Sequence, residues 1–187
     1  MLFHDMGKPV MKTTDENGRD HFKGHAIASE QIAKTVMKRL KFDNDTIRKV
    51  TKLVAYHDYR MEPTGANVRR AMHEIGVELF PYYLAVRLAD TKAQSSYERR
   101  GKLENIIQIR ELYRNALRNK ECVILKDLAV TGTDLINLGI APGKELGTLL
   151  NELLDMVIED PAWNQKGKLC DYVKERFGFS ILAHRDS

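Results

Sequence analysis

Four sites in the first half of the chain carry side chains that divalent metal ions use as ligands. His4-Asp5 offers one imidazole nitrogen and one carboxylate oxygen from adjacent residues, and His25, His57 and Asp90 follow. Three imidazoles and two carboxylates suit one or two first-row divalent ions with open coordination positions. Because such ions neutralise phosphate charge and activate water, the implied chemistry is hydrolysis of a phosphoryl group. If two ions bind, Asp5 is the expected bridge.

Each of these residues also has an ordinary structural explanation. His25 could be a polar residue of a first helical turn, and His57 a cation favoured by the dipole at a helix end. Asp90 could be the i+3 partner of Arg87. Taken singly, these explanations are the better supported ones, but the whole set in its local contexts favours a metal site.

A second His-Asp pair offers an alternative ligand set. His57-Asp58 with His25 and Asp90 would also supply two histidines and two carboxylates. We expect Asp5 rather than Asp58 in the site, because Asp58 lacks a following Gly-Lys and lies where its helix breaks.

Helices with periodic apolar residues must position these ligands. Gly7-Lys8-Pro9 is expected to end a helix next to His4-Asp5, and Asp15-Glu16-Asn17-Gly18 predicts the turn of a small hairpin or ordered loop. His25 opens one helix. Asp43-Asn44-Asp45 caps the next, which carries His57, and a helix from about residue 79 carries Asp90.

A long, highly charged helix is predicted over residues 98–121. Arg110, Arg114 and Arg118 follow one another at i, i+4 and i+8 on the edge of its apolar face. Such a ridge could lie along a phosphate backbone, although a solvated flank paired with neighbouring glutamates is the slightly better supported explanation.

Beyond residue 123 the composition changes, and three further helices are predicted. One is capped by Thr131 or Thr133, one runs over 144–159 and one over 166–177. The expected fold is therefore all-α, with one small β-hairpin or loop near the amino terminus. We expect domains at 1–121 and 122–187.

Composition indicates an ordinary globular protein that is mildly basic. The 187 residues are 43% hydrophobic and 30% charged, with a net charge of +4 that favours polyanion contact without demonstrating it. Two distant cysteines indicate a reduced, cytoplasmic compartment. The sequence contains no apolar run near the ~20 residues needed to cross a bilayer, so no membrane association is expected.

Four segments carry a resemblance to a known family. HDMGKP resembles the signature of the HD-domain metal-dependent phosphohydrolases, and FKGHAIASE, LVAYHDYR and VRLADTKA resemble its later segments. The closer similarity is to the HD domain of the bacterial tRNA nucleotidyltransferase and poly(A) polymerase family, the CCA-adding enzymes. DENGRDHFKGH and GTDLINLGIAPGKELGTLLNELLDMVIEDP extend that similarity over nearly the whole chain.

The resemblance implies roles for particular residues. His4, Asp5 and Asp90 match the ligands of the family's main metal site, and His25 and His57 match histidines that hold a second ion in two-metal HD proteins. The expected cofactor is one or two ions of Mn, Ni, Co, Mg or Fe.

The resemblance also implies an activity. Lys8 stands where the HD signature has a lysine that can touch substrate phosphate, so Lys8 and Asp5 are the expected catalytic residues. The implied activities are those of a phosphatase, a 2′-nucleotidase or a 2′,3′-cyclic phosphodiesterase acting on nucleotide or RNA-end phosphates.

The sequence departs from the family pattern in two ways. The HD pattern starts with a histidine on an earlier helix, which is missing here, so the HD domain is expected to be truncated. The nucleotide-adding head, with its Gly-Ser and paired aspartates, is also missing and is expected in the full-length protein. The alternative function is therefore a non-catalytic tRNA-binding neck and tail with a degenerate metal site, gripping phosphates through Arg110, Arg114, Arg118 and Lys144.

Overall fold

Helices make up most of the described chain, as the periodic apolar residues predict. The structure is a computed structural model that describes residues 2–93 and 99–178. Its backbone contacts divide the chain into two units, Met1–Pro63 with Glu74–Glu111 and Thr64–His73 with Leu112–Ser187. No helix within the described ranges is long and apolar enough to cross a membrane.

The first unit contains four helices and a hairpin, and two further helices contribute residues to both units. Its elements are α1 (Lys8–Met11), β1 (Thr13–Thr14), β2 (Asp20–His21), α2 (His25–Arg39), α3 (Asn44–Tyr56) and α5 (Phe80–Ala93). The shared helices are α4 (Gly65–Ile75) and α6 (Arg99–Arg118). Within the first unit α2 packs on α1 and α3, and α3 packs on α5.

The predicted turn closes a short antiparallel hairpin. Thr13 pairs with His21, and Thr14 pairs with Asp20. The Asp15 carboxylate accepts the backbone N–H groups of Asn17 and Arg19, which is the local bonding that makes aspartate a turn residue. The hairpin alternative of the prediction is therefore confirmed.

The prediction that Gly7-Lys8-Pro9 ends a helix is wrong. A short helix begins at Lys8, with Gly7 as its N-cap residue and Pro9 in its first turn. Proline is well suited to this position, because its fixed φ matches the helix and a first-turn N–H has no partner within the helix.

The predicted cap of α3 is confirmed. The Asp43 carboxylate accepts the Thr46 backbone N–H at 2.8 Å. The apolar faces of the helices of the first unit meet in a buried core that includes Ala33, Met37, Ile47, Val54, Leu79, Phe80, Tyr83, Leu84, Ile106 and Ile109.

The second unit is built on the leucine-rich helix predicted over 144–159. Its elements are a 3-10 turn at Leu125–Asp127, α7 (Gly132–Asn137), α8 (Lys144–Glu159), a 3-10 turn at Pro161–Trp163 and α9 (Lys166–Phe177). Thr131 caps α7 in a reciprocal capping box with Asp134. Its core includes Cys122, Val130, Leu135, Leu149, Leu153, Leu154, Val157, Ile158, Leu169 and Val173.

A buried guanidinium ties the carboxyl end of α8 to the rest of the second unit. Arg69 Nε donates to the Ile158 carbonyl at 2.7 Å, and Nη2 donates to the Glu159 carbonyl at 2.9 Å. Arg69 Nη1 pairs with Glu121 Oε2 at 2.9 Å. The cation therefore lies at the negative end of the helix and satisfies two carbonyls that helix termini leave unpaired.

Replacing this guanidinium should destabilise the second unit. We expect Arg69→Met to lower its free energy of unfolding by about 3 kcal/mol, because the half-buried Glu121 loses its cationic partner and two carbonyls at the end of α8 lose their donor. The only tryptophan of the chain, Trp163, lies in this unit, so its fluorescence during urea denaturation reports the change.

The neighbouring arginine provides the control. Arg70 pairs with Glu159 at the surface, so Arg70→Met should change the same free energy by only about 0–1 kcal/mol. Equal effects of the two substitutions would contradict the role assigned to Arg69.

Candidate metal centre

Three predicted ligands lie at or beside helix ends in the first unit. Asp5 lies in the turn that leads into α1, His25 is the first residue of α2, and His57 is the C-cap residue of α3. Gly24 precedes His25 with φ 83°, a left-handed conformation that glycine adopts without steric cost. Helix ends leave side chains open to a cleft, so these positions suit ligands.

The ligand atoms of these three residues converge. One atom each from Asp5, His25 and His57 lies within 4.8 Å of the other two. The two Nε2 atoms are 3.1 Å apart, and Asp5 Oδ1 is 3.6 Å from His25 Nε2 and 3.7 Å from His57 Nε2. Two ligands of one ion at ~2.1 Å lie about 3.0–3.4 Å apart, so these spacings are close to those of a shared ion.

Backbone carbonyls determine which nitrogens face the cluster. His25 Nδ1 donates to the Phe22 carbonyl at 2.9 Å, and His57 Nδ1 donates to the Val54 carbonyl at 2.7 Å. Because a carbonyl only accepts, both Nδ1 atoms carry the proton, and in the neutral rings both Nε2 atoms present lone pairs. Two lone pairs 3.1 Å apart repel, and a cation between them removes that repulsion.

The protonation of His57 is biased toward the neutral ring that metals bind. Burial is the strongest effect and lowers the pKa of His57, and the nearby rings of His25 and His4 lower it further. These effects outweigh the hydrogen bond to Val54 and the charge of Asp5, which raise the pKa of His57.

The two oxygens of Asp5 face different partners. Oδ1 faces His25 and His57, while Oδ2 accepts from Lys8 Nζ at 2.7 Å and lies 3.3 Å from His4 Nε2. Burial raises the pKa of Asp5, but the hydrogen bond from Lys8 and the nearby charges bring it below its usual value. The carboxylate is thus held ionised and can bridge two groups.

All six residues predicted for catalysis or metal binding line one cleft of about 800 Å³. His4 and Asp90 line it without belonging to the close group of three ligand atoms. The ring centroid of His4 is 5.2 Å from that of His57. The structure shows no ion pair between Arg87 and Asp90, and Arg87 Nη1 donates to the Tyr83 hydroxyl at 3.2 Å.

The residues predicted to bind RNA lie elsewhere. Arg110 is half-buried on α6, Arg114 and Arg118 are exposed on the same helix, and Lys144 is the exposed first residue of α8. None of these four side chains lines the cleft that holds the candidate ligands.

A close contact between α1 and α2 places Asp5 beside the histidines. The Gly7 backbone N–H donates to the buried Ser29 hydroxyl at 2.8 Å. A Cβ on Gly7 would lie 2.4 Å from the His25 carbonyl oxygen and 2.7 Å from the Ser29 nitrogen. Gly7 and Ser29 were not predicted as site residues from the sequence, although the Gly-Lys after His4-Asp5 marked the position.

Fold and site together define a helical protein with an Asp/His/His ligand group at its helix ends. The profile of the family described as tRNA nucleotidyltransferase domain 2, putative, matches residues 25–173. The chain therefore belongs to that family.

One curated relative is similar to most of this chain. The chain is 29% identical over 164 residues to the CC-adding tRNA nucleotidyltransferase of Thermus thermophilus, an alignment that covers 84% of this chain and 35% of the relative. The chain thus spans about a third of the length of that relative. No solved structure matches the chain significantly.

The contact at Gly7 leads to a prediction about metal affinity. We expect Gly7→Ala to lower Mn²⁺ affinity about tenfold, because the added methyl group must push Asp5 away from the His25 backbone. Isothermal titration calorimetry measures the affinity. Gly147→Ala on α8, where a Cβ meets open space, should leave it unchanged. Unaltered Mn²⁺ binding in folded Gly7→Ala protein would show that this contact does not position Asp5.

Proposed function

We propose that this chain carries a metal-dependent phosphohydrolase centre of the HD-domain type within a tRNA nucleotidyltransferase-like protein. Its substrates are nucleotide or RNA-end phosphates, in reactions of the phosphatase or 2′,3′-cyclic phosphodiesterase type. The observation that carries the proposal is the convergence of Asp5, His25 and His57 on one cation-sized space inside an open cleft.

The donor set fits a first-row divalent ion. It combines two imidazole nitrogens with one carboxylate oxygen, and backbone carbonyls orient both rings. Mn, Ni, Co, Mg or Fe are the ions we assign to it, one or two per site. Asp5, His25 and His57 would hold the ion, with His4 and Asp90 as further ligands from the same cleft.

The chain's own groups supply the remaining functions. A divalent ion in this site would neutralise phosphate charge and activate a water molecule. Lys8, whose ammonium group lies 2.7 Å from Asp5 Oδ2, is placed in the cleft to contact a substrate phosphate. Asp5 faces His25 and His57 through Oδ1 and accepts from the Lys8 ammonium group through Oδ2.

We also propose how this chain is divided into domains and what the full-length protein adds to it. We assign residues 1–121 to the HD domain and residues 122–187 to a tRNA-nucleotidyltransferase-like tail. The nucleotide-adding head would belong to the full-length protein, and the expected compartment is the cytoplasm.

A second candidate function is tRNA binding without catalysis. Family membership favours it, together with the exposed Arg114 and Arg118 on α6 and the exposed Lys144 at the start of α8. In this function Arg110, Arg114, Arg118 and Lys144 contact backbone phosphates and the metal cluster is degenerate.

Metal binding and hydrolysis test the first function together. Asp5→Asn should lower Mn²⁺ affinity about a hundredfold, because it replaces an anionic ligand by a neutral amide. The Mn²⁺-loaded protein should hydrolyse bis(p-nitrophenyl) phosphate, and both Asp5→Asn and Asp90→Asn should lower that rate roughly a hundredfold. The exposed Asp155→Asn is the activity control.

Asp58 provides the control for the ligand assignment. Asp58 is exposed and pairs with Arg60, so Asp58→Asn should leave Mn²⁺ affinity within about twofold of the parent protein. Loss of Mn²⁺ binding in Asp58→Asn but not in Asp5→Asn would replace the proposed ligand set by the alternative one. Hydrolysis that survives both Asp5→Asn and Asp90→Asn would refute the enzyme proposal.

Salt dependence tests the second function. If Arg114 and Arg118 each contact a tRNA phosphate, the double substitution to Gln should reduce the slope of log K against log[salt] by about 2. Electrophoretic mobility shifts of tRNA at several KCl concentrations measure the slope. Lys34→Gln with Lys38→Gln, two exposed cations on α2, is the matched control. Affinity that does not depend on salt would exclude backbone contacts of this kind.

A further inference from the structure

A second, basic pocket lies beside the metal cleft within the first unit. Its volume is about 600 Å³, and three cations line it: Arg60, Arg87 and Lys102. Among the residues that the structure describes, Glu62 is the one carboxylate in that lining, and Asn105 adds an amide. Three cations against one carboxylate give the pocket an excess of positive charge, which suits an anionic group.

A small cavity of about 30 Å³ lies between the basic pocket and the metal cleft. Its lining includes His57 and Asp90, which also line the metal cleft, and it includes all three cations of the basic pocket. Because the two pockets share neighbouring residues in this way, we expect one extended ligand to reach both.

The Arg87 guanidinium is held in place without being neutralised. Its Nη1 donates to the Tyr83 hydroxyl at 3.2 Å, and the buried Tyr83 hydroxyl donates to the Tyr59 carbonyl at 2.7 Å. Burial raises the pKa of the Tyr83 phenol, which keeps this donor protonated. Among the described residues, no carboxylate forms an ion pair with Arg87, so its charge is preorganised for an incoming anion.

The other two cations come from a loop and from α6. Arg60 pairs with Asp58, two residues away, in an exposed ion pair that contributes little stability. Lys102 on α6 lines both the basic pocket and the small cavity next to it.

We propose that the basic pocket of Arg60, Arg87 and Lys102 binds a second phosphate group of the ligand whose first phosphate occupies the metal cleft. This inference rests on the proposed function of that cleft. It narrows the substrate class to compounds with at least two phosphates, either successive phosphates of a nucleotide strand or the chain of a nucleoside polyphosphate. A nucleoside monophosphate fills the metal cleft alone.

Equilibrium binding to the Mn²⁺-loaded chain tests the inference with three probes. Uridine 3′-monophosphate carries one phosphate, the dinucleotide UpUp carries a terminal and an internucleotide phosphate, and UTP carries a polyphosphate chain. At least one of the last two should bind about tenfold tighter than the monophosphate, because each charge-assisted phosphate contact adds affinity of that order. Preference for UpUp assigns the pocket to a strand, and preference for UTP assigns it to a polyphosphate.

Substitution of the cations tests whether they cause the tighter binding of the two-phosphate ligands. Arg87→Gln with Lys102→Gln should remove the tenfold difference and leave binding of the monophosphate unchanged, while Lys34→Gln should preserve the difference. Arg87→Lys with Lys102→Arg keeps both positive charges and should restore most of the tenfold difference in affinity. If the double Gln variant does not fold, Lys102→Gln alone carries the comparison. Equal affinity for all three probes, or an advantage that survives removal of the cations, overturns the inference.

Binding also separates this inference from the proposed catalytic function. A chain that hydrolyses none of the probes but binds UpUp or UTP through the cations retains the second phosphate site and loses the enzyme assignment. A chain that hydrolyses phosphoesters without favouring two-phosphate ligands retains the enzyme assignment and loses the basic pocket.

Discussion

The candidate site depends on two hydrogen bonds that turn a pair of imidazoles toward each other. The carbonyls of Phe22 and Val54 accept hydrogen bonds from Nδ1 of His25 and His57, which leaves the two Nε2 atoms facing each other 3.1 Å apart. Two free imidazoles in water would not be held in this orientation. Each carbonyl lies three residues before its histidine, so local backbone geometry at the ends of two elements imposes the arrangement.

Convergence of the third ligand requires packing between parts of the chain that are distant in sequence. Asp5 reaches the histidines because Gly7 has no side chain and its N–H meets Ser29 in the interior of the unit. Any larger residue at Gly7 would separate α1 from α2 by the thickness of a methyl group. Such a separation exceeds the tolerance of a metal site, which is a few tenths of an ångström.

The elements were more predictable from the sequence than the grouping of the ligands. Apolar periodicity and the Asp43 cap identified α2 and α3 and placed His25 and His57 at their ends, because both signals are local. The helix at Lys8 was missed because Gly-Lys-Pro also reads as a helix stop, and only the preceding turn distinguishes the two cases. Spacing alone could not show that Asp5 lies closest to the two histidines, since that depends on how α1 packs on α2.

The basic pocket also could not be predicted from the sequence. Arg60, Arg87 and Lys102 come from a loop and two helices, and no short motif connects them. On the sequence, Arg87 has an obvious partner in Asp90 three residues later, and an ion pair there would neutralise both groups. The buried Tyr83, one helical turn earlier, takes the guanidinium instead. Arg87 therefore lines the basic pocket, while Asp90 lines the metal cleft beside it.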